Sequence, residues 1–299
     1  MKTYVISGAT GMIGRALCEF LLSRGDRVIA LVNPGSRRAA GLPESELLTV
    51  IPLALSAYAD YIPALRADAF LHLAWEKTGV GGRDDAAVQE KNIRTTIDAV
   101  GLASRFGCTA FTGAGSQAEY GIASAPLRGD SPTDPQSGYG IAKYAAGKLS
   151  YLAAKALGIR HSWVRILSVF GKGDAEGTLI SYLIRTLRAG EVPELTPCGQ
   201  IWDYLYVTDA AKALAAVADS GKDGKVYPLG SGQGRPLREY AEILRDTVAP
   251  AGVLHFGAKP YYPHQPMFLV ADIGELTADT GFVPEIPFAE GIRKILEIG

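Results

Sequence analysis

Three glycines at a fixed spacing, Gly8-x-x-Gly11-x-x-Gly14, stand between a short apolar run, Thr3-Tyr-Val-Ile-Ser, and an amphipathic stretch from Met12 to Leu22. The run reads as a buried strand and the stretch as a helix, so the glycines form a strand–turn–helix unit. Glycine permits the tight backbone angles and close main-chain approach that such a turn needs, and a helix start offers unpaired N–H groups and a positive dipole end. A turn of this kind suits a pyrophosphate, with Gly8, Thr10, Gly11, Met12, Ile13 and Gly14 as its cradle. Taken alone, a glycine triplet also fits an ordinary βα turn.

Tyr139 and Lys143 lie four residues apart, on one face of a helix predicted from Tyr139 to about Leu157. An ammonium beside a phenol favours the phenolate and draws its proton transfer toward neutral pH. Ser116, just past a strand predicted at Thr109–Thr112, offers a non-titrating hydroxyl to the same substrate oxygen. Strand-like segments near Tyr4, Val28, Val50, Phe70, Phe111 and Ser162 alternate with helix-like ones, which predicts an α/β protein with a parallel sheet built by right-handed crossovers.

In order and spacing these segments resemble the extended short-chain dehydrogenase/reductase family of nucleotide-sugar epimerases, dehydratases and reductases. The resemblance is carried by Gly8/Gly11/Gly14, His72-Leu73-Ala74, Asn92, Ser116, Tyr120-Gly121, Tyr139 and Lys143. It continues through Arg165, Phe170-Gly171, Asp203-Tyr-Leu-Tyr-Val-Thr-Asp209, Ala271-Asp272 and Gly281-Phe282. It implies a Rossmann-type doubly wound sheet followed by a smaller C-terminal substrate-binding region. Residues 1–170, with about 201–222, would bind the dinucleotide; 171–200 and 223–299, including Val226–Pro228, would bind substrate. The same resemblance makes Tyr139 the catalytic acid/base, Ser116 the group that orients and polarises the reacting oxygen, and Lys143 the holder of the nicotinamide ribose that also lowers the tyrosine pKa. Leu73, Ala74 and Asn92 would adjoin the cofactor, and His72 would be structural or cofactor-adjacent.

Where NAD-selective members of this family place an acidic side chain after the second strand, this chain has Asn33, followed by Ser36-Arg37-Arg38. Removing a carboxylate and adding guanidinium groups suits a 2′-phosphate, so NADP(H) is expected in preference to NAD(H). NADPH is the usual donor for reduction. The resemblance therefore implies a ketoreductase acting on a nucleotide-linked 4-keto-6-deoxy sugar. A nucleotide-sugar 4-epimerase is the alternative, and a 4,6-dehydratase or a non-catalytic NADP-binding protein stands behind both.

Family dehydratases follow the catalytic hydroxyl with an Asp-Glu pair, whereas Gln117 and Ala118 follow Ser116 here. Glu119 lies one place further, on the other face of an extended segment, and reads as an exposed or salt-bridged carboxylate. Trp202 stands where binders of nucleotide diphosphates often carry Arg, and the segment starting Pro263-His264-Gln265 stands where a second Arg is often found. Either Arg185, Arg188 or Lys259 takes over, or the substrate is not a standard sugar nucleotide. Trp202 either packs or stacks on a base. Trp75, Lys77 and Gln117 join it as candidate substrate contacts.

A formal net charge of −1 without a basic run argues against nucleic acid as a partner. No apolar stretch suits a membrane span and no signal peptide is visible, so the cytoplasm is the expected compartment. Cys18, Cys108 and Cys198 read as buried thiols rather than disulfides or a zinc site, and His161, His255 and His264 give no metal-ligand spacing. A homodimer through the Tyr139 helix and its neighbour is expected, although Leu149, Leu152 and Ala156 would suit either that contact or the core.

Overall fold

Along the first strand, successive side chains point to opposite sides and both sides are apolar: Tyr4 and Ile6 enter one buried cluster and Val5 the other. A strand buried on both faces needs helices above and below it, as parallel sheets provide. The computed structural model describes residues 1–262 and 265–297, so Pro263 and His264 lie outside the described residues. The chain runs β1 (Thr3–Ser7), α1 (Met12–Ser23), β2 (Arg27–Val32), β3 (Leu48–Pro52), β4 (Ala69–His72), α2 (Ala86–Phe106), β5 (Ala110–Ser116), α3 (Gly138–Ala156) and β6 (Arg160–Ile166). It continues through β7 (Ser168–Phe170), α4 (Leu179–Arg188), β8 (Glu194–Leu195), β9 (Ile201–Trp202), β10 (Tyr204–Tyr206), α5 (Val207–Ser220) and β11 (Lys225–Leu229). The remaining elements are β12 (Arg235–Pro236), α6 (Leu237–Val248), β13 (His255–Phe256), β14 (Phe268–Leu269), α7 (Gly274–Thr280) and α8 (Phe288–Glu297).

Seven strands form one parallel sheet in the order β11-β6-β5-β4-β1-β2-β3. This is the Rossmann-type doubly wound arrangement, and its order reverses between β4 and β1, where a crevice opens at the strands' carboxyl ends. α1 and α5 pack together on one face and α2 and α3 on the other. Phe70, Phe111 and His161 are register neighbours on β4, β5 and β6, and with Trp163 they form a stacked aromatic row beneath α2 and α3.

Two helix starts near the site are fixed by side-chain caps: Asp85 accepts the Val88 N–H for α2, and Ser137 accepts the Gly140 N–H for α3. β5 extends through Ser116, four residues beyond the predicted strand end, so the serine is the last residue of a central strand. Val226–Pro228, grouped above with the substrate-binding region, belongs instead to β11, the edge strand of the main sheet beside β6. An edge position leaves room for Pro228, which has no N–H to give a further strand. Outside this sheet, β9 pairs with β12 and β14, and the buried Asp203 ties their surroundings together by accepting the N–H groups of Ser231, Gly232 and Ala271.

Candidate active site

The glycine turn closes against the start of the loop after β4. A side chain at Gly8, whose φ is +72°, would meet the Ala74 nitrogen at 2.7 Å, and one at Gly14 would meet the Gly8 carbonyl oxygen at 2.2 Å. Larger residues would force α1 away from β1. No side chain caps α1, which leaves its first-turn N–H groups to an anion. A cavity of about 390 Å³ opens above this turn, lined by Gly8, Thr10, Gly11, Asn33, Arg38 and the stretch Leu73–Glu76, among others. Thr10 and Arg38 also border a neighbouring cavity with Met12, Arg15 and Lys172. This channel fits a dinucleotide: close backbone at the pyrophosphate position, apolar walls at Leu31, Leu53 and Leu55, and at one end Arg15, Arg38 and Lys172 beside Asp174 and Glu176.

Ser116, Tyr139 and Lys143 converge beside it. Ser116 Oγ accepts the Ala118 N–H at 3.2 Å, which leaves its own proton to donate to a substrate oxygen. Tyr139 stands edge-on to the Trp75 indole, with ring centroids 5.9 Å apart. Burial raises its pKa above the ordinary tyrosine value, while Ser116 and Arg83 act to lower it. Lys143 Nζ donates to the Ala114 carbonyl at 2.6 Å and rests 3.7 Å from the centre of the Trp75 ring. Burial holds the Lys143 ammonium down at about 7.

Beneath the serine, the buried Glu119 carboxylate accepts the Ser116 N–H at 2.8 Å, the Trp163 indole N–H at 3.0 Å and the Arg165 Nε–H at 2.7 Å. Glu119 is salt-bridged as expected, but it is 1% exposed rather than on the surface, because the turn Gln117–Glu119 folds it back under β5. Its carboxylate is committed to fixing the serine's backbone.

The sequence of the same chain is matched over residues 4–230 by the profile of a family described as "NAD dependent epimerase/dehydratase family". The chain belongs to the NAD dependent epimerase/dehydratase family. It is 25% identical over 242 residues to a protein of Aggregatibacter actinomycetemcomitans named dTDP-6-deoxy-L-talose 4-dehydrogenase (NAD(+)), covering 80% of this chain and 87% of that one. It is 25% identical over 310 residues to CDP-abequose synthase of Salmonella typhimurium, covering 99% and 98%. The fold is similar to UDP-N-acetylglucosamine 4-epimerase from Methanobrevibacter ruminantium, with a TM-score of 0.89, 23% identity and coverage of 99% and 97%. It is also similar to RMD from Pseudomonas aeruginosa complexed with NADPH, with a TM-score of 0.81, 21% identity and coverage of 99% and 98%.

As a member of the NAD dependent epimerase/dehydratase family, this chain is an enzyme of the oxidoreductase or epimerase kind. The other residues singled out above take the following places. Ile13, in the first turn of α1, packs against the core and lines neither cavity. Arg37 is exposed and lines neither cavity, whereas its neighbour Arg38 lines both. Asn92 does not face the channel: its amide accepts the Glu76 N–H at 2.9 Å and donates to the Glu76 carbonyl at 3.1 Å, holding the loop that carries Trp75. Lys77 turns toward Asp85, 3.3 Å away, within that loop. Trp202 donates its indole N–H to Ser168 Oγ at 2.8 Å and packs on apolar neighbours, and Gln117 is half-buried in the turn after Ser116. Lys259 lies over the Tyr182 ring and 3.7 Å from Glu194. His72 is buried, with Nδ1 2.8 Å from Ser7 Oγ.

Two residues escaped the sequence reading. Arg15 follows the third glycine directly, a position that could have flagged it. Its guanidinium packs over Gly41, and its buried Nε has no hydrogen-bond partner among the described residues. Arg83 lies in the loop before α2, with its guanidinium carbon 4.6 Å from the Tyr139 ring centre, and no local sequence pattern marks it. Among the described residues no group of three or more His, Cys, Asp or Glu side chains is arranged to hold a metal, and no helix is long and apolar enough to cross a membrane.

Proposed function

We propose that this protein reduces the 4-keto group of a nucleotide-linked 6-deoxy sugar with NADPH, Tyr139 acting as the acid/base. The observation that carries this reading is the convergence of Ser116, Tyr139 and Lys143 beside a channel that fits a dinucleotide. Bound there, the cofactor would supply hydride to the substrate carbon. Ser116 would donate its free hydroxyl proton to the carbonyl oxygen, and Tyr139 would pass its phenolic proton to the same oxygen as charge develops. Lys143 would hold the ribose hydroxyls from the floor of the site. The names of the talose and abequose relatives support a nucleotide-linked sugar and, for the former, chemistry at carbon 4. Glu119 is sequestered by Arg165 and Trp163, which counts against a dehydratase, since elimination needs a free acid/base after the serine.

NADP(H) rather than NAD(H) is supported by Asn33 in the channel wall and by Arg38 with the underused Arg15 at its end. One relative's name specifies NAD(+), and measuring the affinity for both cofactors decides between them. Removing one charge-assisted contact to a 2′-phosphate costs roughly 1.5–3 kcal/mol, so Arg38→Ala should weaken NADPH binding roughly tenfold to a hundredfold and leave NADH binding nearly unchanged. Equal weakening of both cofactors contradicts the assignment.

The activity is tested by following NADPH absorbance against nucleotide-linked 4-keto-6-deoxy sugars. Substrate-dependent oxidation supports the ketoreductase. The 4-epimerase shares every catalytic residue, and interconversion of a nucleotide-linked 4-hydroxy sugar with its C4 epimer, without net oxidation of cofactor, would identify it. Silence with the 4-keto sugars rejects the ketoreductase, and silence with the 4-hydroxy sugars as well rejects the epimerase.

A further inference from the structure

Lys143 was the cation expected to tune the catalytic tyrosine, yet its Nζ lies 5.9 Å from the Tyr139 ring centre, donating to the Ala114 carbonyl and resting against the Trp75 face. The cation nearer the ring is Arg83, at 4.6 Å. We propose that Arg83 is a positioning residue of the active site, a loop cation that clamps the Tyr139 ring and stabilises its negatively charged form during proton transfer.

The loop bearing Arg83 is built onto the first turn of α3. Asp84 Oδ1 accepts the Gly138 N–H at 2.7 Å, and Gln89 Nε2 donates to the Gly82 carbonyl at 2.9 Å from inside α2. The approach is close enough that a side chain at Gly138 would meet the Arg83 carbonyl oxygen at 3.0 Å. Arg83 is thereby fixed beside the residue that follows this glycine, and among the described residues no carboxylate lies within 4.0 Å of it to compete. Trp75 meets the same ring edge-on from the β4 loop. The charged and polar groups acting on the phenol are Ser116 and Arg83, which favour its ionised form, and Glu119, which opposes it; Lys143 shares its helix. A guanidinium packed on an aromatic ring in a partly desolvated site both restrains the ring and stabilises nearby negative charge.

The inference rests on Tyr139 being the proton donor of the proposed reaction, and its test needs no substrate. The full chain is labelled with 3-fluorotyrosine, and the Tyr139 ¹⁹F resonance is assigned by its loss in Tyr139→Phe. Its titration is then compared in the unsubstituted protein, Arg83→Met, Arg83→Gln and Arg83→Lys. The expected result is a midpoint raised by about one pH unit in both neutral variants and by less in Arg83→Lys. Midpoints unchanged in the neutral variants overturn the proposal, and so does a shift in Arg83→Lys as large as theirs. A raised midpoint in a protein that reduces none of the sugars tested would uphold the role of Arg83 and reject the substrate reading alone.

Discussion

At Tyr139 the half-buried phenol is partly desolvated, which raises its pKa, so near neighbours must help stabilise its charged form. Tyr139→Phe removes the only proton on that ring that could reach a carbonyl oxygen. It should lower kcat roughly 10²- to 10⁴-fold while NADPH affinity stays within a few-fold, as steady-state kinetics and cofactor titration would report. Elsewhere in the core, burial depresses His72 to about 3 and His161 to about 4. Both are neutral in the folded chain and titrate near 6.5 when unfolded, so between those values the unfolded state binds more protons. Their stabilising contribution is complete above about pH 6.5 and is lost as pH falls through 4 and 3. Thermal melting should therefore show Tm dropping as pH is lowered from 6.5 to 4; a level Tm across that range contradicts this account. Gly8, Gly14, Tyr139 and Lys143 were legible because backbone strain and helical spacing leave marks in a sequence. Arg15 and Arg83 were not placed, since an arginine's target is set by what the fold brings to it.

Among the elements, the turn after β5 carries a heavy structural load, because Glu119 and Arg165 are 1% and 3% exposed and pair at 2.7 Å. Removing one member of a buried pair leaves an uncompensated charge, which typically costs about 3–5 kcal/mol. Glu119→Ala should lose stability on that scale by denaturant unfolding, with Glu119→Gln losing less because an amide still fills the space and accepts the Ser116 N–H. A loss below about 1 kcal/mol in Glu119→Ala would mean that the pair does not anchor the turn. The sequence made a salt bridge one of two readings for Glu119 but gave no sign of its burial, since a single turn decides which way that side chain faces. β11 was misplaced for a related reason: Val226–Pro228 is short, contains proline and follows a glycine turn, and only pairing with β6 reveals it as sheet.

For the whole molecule, the alternation of strands and helices was enough to foretell the parallel sheet, whereas the small sheets of the C-terminal region have two-residue strands with no readable period. Leu149 and Leu152, left open between core and surface, are 43% and 60% exposed on α3, with Ile141 at 55% on the same helix. We propose that this apolar strip is a homodimer contact. Sedimentation velocity should find a dimer for the unsubstituted chain and a monomer for Leu149→Glu/Leu152→Glu; identical sedimentation of both rejects it. The central claim is that Ser116, Tyr139 and Lys143 serve the passage of hydride from soluble NADPH to a sugar carbonyl. The most direct measurement uses NADPH carrying deuterium at both nicotinamide C4 positions with a nucleotide-linked 4-keto-6-deoxy sugar, reading the product by mass spectrometry. One deuterium in a reduced sugar, absent with Tyr139→Phe, is the predicted result; an unlabelled or merely isomerised product would contradict it.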